Sequence, residues 1–167
     1  MSTNEFKDSL KQGTQLLMQG KPDEALPHLQ RAHELSPDDH SAALNLGGAF
    51  IMAGKHKQAV PILEKLSETD ADNPQVWTNL GAAYLGNPIT AANERQTKSL
   101  AAFARALELD PNARSVAYNM GLIYRDRNEL DKAVASFKRA LASDPNDKDA
   151  RRILERLEMG AGSERKV

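Results

Sequence analysis

The chain has 167 residues, enough for one domain with a sizeable core, and a formal net charge of −1 with both signs interspersed, which provides no basic surface for nucleic acid. It has no cysteine, which excludes disulfides, thiolate catalysis, a lipoprotein anchor and the common structural zinc sites. Met1 to Ser9 is polar where a signal peptide would be apolar, and no apolar run approaches the ~18 residues of a membrane span, so a soluble cytoplasmic protein is expected.

Taken in chain order, residues 1–5 are expected to be disordered. A first helix is predicted from about Phe6 to Gln19, ended by Gly20 in a left-handed conformation, and a second from about Pro22 to Leu35. Gly54 supplies the same ending in a second helix pair, and Asn128 in a fourth. Pro37, Pro111 and Pro145 follow helix ends, whereas the second pair has Ala71 there and Pro74 three residues later. Pro27 and Pro61 are read as first-turn prolines of the second and fourth helices, where a missing amide hydrogen costs little. Tyr84 and Ser99 are 15 residues apart where Phe50 and Ala59, or Tyr124 and Ala133, are 9 apart, so the third pair carries six extra residues between its helices. Asn87 as a cap and Pro88 at a first helical position predict a longer helix beginning near Pro88 to Ala91. Beyond Asp147, Ala150, Ile153, Leu154 and Leu157 form an apolar stripe opposite Arg151, Arg152, Glu155, Arg156 and Glu158, which predicts a capping helix over 148–159, with 160–167 disordered.

These pairs share one register. Gly13, Gly47, Gly81 and Gly121 step by 34, 34 and 40 residues and are followed three residues later by Leu16, Phe50, Tyr84 and Tyr124. A second set of rows reads Ala25, Ala59, Ser99, Ala133, then Leu29, Leu63, Phe103, Phe137, then Ala32, Leu66, Ala106, Ala140. Small, large, small at helical spacing lets backbones approach while the large side chains fill the space between. One such pair cannot bury its own apolar face, so the copies must stack.

A 34-residue period with Trp77, Leu80, Gly81, Tyr84, Phe103, Ala106 and Pro111 in the third copy, and Met120, Gly121, Tyr124, Ala133, Phe137, Ala140 and Pro145 in the fourth, resembles the tetratricopeptide repeat family. The resemblance implies an all-α, right-handed superhelical solenoid of four helix pairs, at about 6–39, 40–73, 74–113 and 114–147, closed by the capping helix. It also implies that the first helix of each pair lines a concave face, with the residue two before each glycine pointing into it. That row reads Lys11, Asn45, Asn79, Asn119. Asparagine amides can donate to one peptide group and accept from another, so three in register could hold an extended peptide without reading its sequence. Leu10, Leu17, Met18, Leu44, Ile51, Met52, Leu85, Tyr118 and Leu122 occupy neighbouring concave places, an apolar list for a surface facing water. Lys7 and Lys11 at one end and Arg125 at the other favour acidic residues in the ligand.

Some relatives hold the terminal carboxylate of chaperones in a clamp of lysines, asparagines and an arginine. Here Leu10, Thr14, Gln75 and Asn79 stand at four of the five clamp places and only Asn45 fits, so that reading is rejected. His28, His33, His40 and His56 have no serine or carboxylate constellation around them, and the spacing of His28 and His33 puts them about 140° apart on a helix. The expectation is a non-catalytic scaffold without cofactor or metal, binding a protein or peptide partner through Asn45, Asn79, Asn119, Lys11, Leu10, Leu44, Met52, Tyr118, Leu122 and Arg125. The alternative is self-assembly into a homo-oligomer.

Overall fold

The structure, a computed structural model, describes residues 2–86, 92–113 and 115–164. Among the described residues the chain forms nine helices and no strand: α1 Ser2–Met18, α2 Pro22–Leu35, α3 His40–Met52, α4 His56–Thr69, α5 Pro74–Leu85, α6 Asn93–Leu109, α7 Val116–Asp126, α8 Leu130–Ser143 and α9 Lys148–Glu164. Each helix packs on the next, and α3 also touches α1 and α5, the arrangement of a solenoid.

The glycine row explains the pairing. A Cβ at Gly13 would stand 2.5 Å from Leu29 Cγ, one at Gly47 2.6 Å from Leu63 Cδ2, and one at Gly81 2.5 Å from the Phe103 ring. At Gly121 the distance to the Phe137 ring is 2.9 Å. Leu29, Leu63, Phe103 and Phe137 are all fully buried, so the large residue of each second helix sits in the notch that glycine leaves in the first. Ala25, Ala59 and Ala133 are likewise buried, and Ser99 at the same place donates its hydroxyl to the Gly81 carbonyl at 2.8 Å.

The turns follow from local chemistry. Gly20 and Gly54 have φ of 72° and Asn128 of 59°. In each, the next amide reaches back over the turn, Lys21 to Leu16, Lys55 to Phe50 and Glu129 to Tyr124, satisfying a carbonyl the helix end would leave bare. Asp39, Asn73 and Asp147 cap α3, α5 and α9 with their side chains. The equivalent place before α7 is Ala113, which has no acceptor to offer. There the helix starts only at Val116, after Ser115 in a left-handed conformation at φ 66°.

Five expectations need correction. The helix predicted from Phe6 begins at Ser2, so residues 2–5 are helical; Glu5 anchors this turn by pairing with Arg31 of α2 at 2.7 Å. The last helix continues past 159 to Glu164: Gly160 and Gly162 stay helical, at the modest cost of glycine inside a helix, instead of turning left-handed as Gly20 and Gly54 do. The longer helix of the third pair begins at Asn93, later than expected, and Asn87 to Ala91 lie outside the described residues. Ser99 is the seventh residue of α6 whereas Ala25, Ala59 and Ala133 are the fourth of theirs, so half of the insertion lengthens the helix. Arg127 holds that new start, donating to the Asn93 carbonyl at 2.8 Å and to Gln96 at 3.0 Å. Pro27 and Pro61 each fall at the sixth position of their helix, in the second turn, so each does remove a backbone hydrogen bond; both are exposed, and water can serve the freed carbonyls. Leu85, expected on the concave face, is buried in a cluster with residues of α6 and α7.

Three consequences can be measured. Gly81→Ala should lower stability by about 1–3 kcal/mol in urea unfolding, because the buried Phe103 ring has nowhere to retreat; an unchanged midpoint would mean the notch is loose. Ala113→Asp should raise stability by about 1 kcal/mol by supplying the missing cap. Tyr84, burdened first by burial and then by its 2.5 Å hydrogen bond to Glu64, has its pKa pushed up from 10.0 to about 12. A folded pKa above the unfolded one means this contribution is complete below pH 10 and is lost as pH rises toward 12. Tyr84→Phe should therefore flatten the stability profile between those values.

Candidate functional site

Two residues of helix correspond to about 200° of rotation, so the row two before each glycine points away from the helix on which the glycine rests. That geometry turns Asn45 and Asn79 outward into the space shared by α1, α3 and α5. There the structure forms a cavity of about 320 Å³ lined by Leu17, Leu44, Asn45, Gly48, Ile51, Met52, Gln75 and Asn79.

Its polar groups are partly engaged. Thr14 donates to the Leu10 carbonyl at 2.7 Å and accepts from Asn45 Nδ2 at 2.9 Å, which ties α1 to α3 and orients the amide. Asn45 keeps one N–H and its carbonyl oxygen for another partner. Gln75 Nε2 donates to Asn79 Oδ1 at 3.0 Å, leaving the Asn79 amide nitrogen over Gly48. The apolar walls are incompletely covered: Met52 is 54% exposed, and Met18, at the same place in the first repeat, is 79% exposed. Leu10, Leu17, Leu44 and Ile51 lean against the first hydrophobic core and are half-buried.

The predicted residues divide into two groups. Asn45, Asn79, Leu44 and Met52 converge on this cavity. Lys11 lies one turn before Thr14 on α1, exposed and without an ion-pair partner among the described residues. Tyr118 and Leu122 belong instead to the cluster formed by α7, α8 and α9, where Tyr118 meets the Phe137 ring edge-on at 5.7 Å. Burial, and after it Asp149 and Asp147, raises the pKa of this tyrosine. Tyr118 lines a separate cavity of about 170 Å³ with Ser115, Asp144 and Asp147. Asn119 makes no side-chain hydrogen bond to a described residue, and Arg125 turns to its neighbour Asp126 at 3.0 Å. The three asparagines thus share a register but only two share a cavity. Sequence reasoning missed Gly48 and named Gln75 only as a failed clamp place, and the signal for Gly48 was present: Gly47 and Gly48 are adjacent in a helix, and the repeat register accounts for only the first.

No described helix is long and apolar enough to cross a membrane. Family models described as tetratricopeptide repeat match residues 16–83 and 91–148. No curated protein matches the chain. Among solved structures, a thermophilic TPR protein of Thermus thermophilus aligns with a TM-score of 0.75 at 26% identity, covering 94% of this chain and 83% of that one. MamA residues 41 to the end from Desulfovibrio magneticus RS-1 align with a TM-score of 0.78 at 19% identity, over 95% and 86% of the two chains. A further MamA structure reaches a TM-score of 0.79 at 21% identity, over 96% and 84%. The glycine notches, the stacked helix pairs and the two family matches together establish that this chain belongs to the tetratricopeptide repeat family.

Proposed function

We propose that the chain is a non-catalytic interaction module that holds a peptide segment of a partner protein in the groove between α1, α3 and α5. Membership of the repeat family supports a protein-interaction role in general. The observation that carries the finer reading is the cavity itself, in which Asn45 and Asn79 present unused amide groups beside Leu44, Ile51 and Met52. Apolar walls supply affinity by excluding water, and the amides satisfy peptide groups that would otherwise be stripped of it. Asn119 on α7 extends the same register toward the fourth repeat.

The test is affinity capture from source-cell lysate followed by titration of whichever partner is identified. Each amide hydrogen bond is worth about 0.5–1.5 kcal/mol, so replacing Asn45, Asn79 and Asn119 together by alanine should weaken binding roughly tenfold or more while the helical circular dichroism persists. A collapsed spectrum would make these residues structural. Recovery of the chain alone by the capture, with concentration-dependent mass in light scattering, would favour homo-oligomeric assembly instead.

A further inference from the structure

Glycine inside a helix costs about 0.5–1 kcal/mol relative to alanine, so each one calls for a reason. Gly47 has one, because a Cβ there would meet Leu63 at 2.6 Å. Gly48 does not: the nearest atom to a Cβ built on it is Asn79 Nδ2 at 3.7 Å, an ordinary contact. The same row holds Thr14, Ala82 and Leu122 in the other repeats, so the repeat accepts a side chain there. What the missing side chain leaves is the floor of the 320 Å³ cavity, walled by Leu17, Leu44, Ile51 and Met52.

The cavity itself carries no negative charge, since none of its lining residues is acidic. On α1 the exposed lysines Lys7 and Lys11 precede Thr14 at helical spacing and have no ion-pair partner among the described residues. Two acidic residues share that turn of α1. Asp8 pairs with neither lysine among the described residues, and Glu5 is committed to Arg31 of α2. Both ammonium groups are therefore available to a ligand. From Lys11 to Leu17 the helix rises about 9 Å, the span of roughly three extended residues.

We infer that the hollow over Gly48 is a specificity pocket for one large apolar side chain of a partner segment, and that this segment carries an aspartate or glutamate about three residues away that faces Lys7 and Lys11. The inference rests on the groove reading above and goes further by naming what the groove selects. A leucine, methionine or phenylalanine side chain would lie over the helix at Gly48, beside the Asn79 amide, with Met52 folding over it, since methionine adapts to the shape it meets.

The test is selection from a random ten-residue peptide display library with the full chain, followed by fluorescence anisotropy on synthetic copies of the winners. Wild type should enrich a large apolar residue spaced about three residues from an acid. Gly48→Leu should fill the pocket and weaken the selected peptides roughly tenfold or more, the scale on which apolar pockets discriminate. Gly48→Ala is the folding control and should melt no lower than wild type, because its methyl group has room. Lys7→Glu with Lys11→Glu should switch the enriched charge from acidic to basic. Binding unaffected by Gly48→Leu, or a charge preference unaffected by the double reversal, would overturn the inference. So would a pocket that the second copy of the chain fills, seen as self-association abolished by Gly48→Leu. If the triple asparagine variant loses the peptides and Gly48→Leu does not, the groove stands and the pocket falls; if neither loses them, both fall.

Discussion

The contact on which the rest of this molecule depends is the one between a side chain that is absent and one that is large. Four glycines leave notches in α1, α3, α5 and α7, and Leu29, Leu63, Phe103 and Phe137 fill them. The close approach sets the distance and rotation of each pair. Rotation then decides everything else about the first helices: with the glycine turned toward the second helix, the residues two positions earlier turn toward the groove. Packing on one face of α3 thereby positions Asn45 on the other.

The interior is not one uniform ribbon. Its buried residues fall into a cluster from α2 to the middle of α6 with half-buried α1 leucines packed on it, a second joining the end of α5 to α6 and α7, and a third around α7 to α9. The third repeat, with its insertion and its uncapped junction at Ala113, is where the pattern is weakest, and Arg127 supplies a compensating tie from the α7–α8 turn back to α6. Surface ion pairs such as Lys55 with Asp23 and Lys65 with Asp38 also link successive elements, but pairs this exposed contribute about 0–1 kcal/mol each. Burial in the notches outweighs them.

Much of the fold was legible because a repeat states its rule four times. Helix order, turn glycines, the left-handed Asn128 and the capping stripe of α9 all follow from short-range chemistry that any one copy shows and the others corroborate. What was not legible depended on contacts between distant residues. The first turn of α1 looked like a polar tail because its anchor, Arg31, lies in another helix. Leu85 looked like a groove residue because its cover, Phe103, Leu107, Val116 and Ile123, comes from α6 and α7, and spacing within α5 does not reveal contacts with other helices. For the site, the asparagine row was plain, yet Tyr118 was drawn into the packing against Phe137 and away from Asn45 and Asn79, a competition that spacing alone does not reveal. Gly48 was overlooked because sequence shows that a side chain is missing but not the space it leaves.

If the α1–α3–α5 groove is where a partner segment binds, the contact should be visible residue by residue. The most direct measurement is amide chemical-shift mapping on the ¹⁵N-labelled chain during titration with a peptide that it has itself selected. Binding in the groove predicts the largest shifts at Asn45, Gly48, Ile51 and Asn79, with α2 and α4 nearly silent. Shifts centred on the outward faces of α2 and α4, or on the fourth repeat alone, would contradict it.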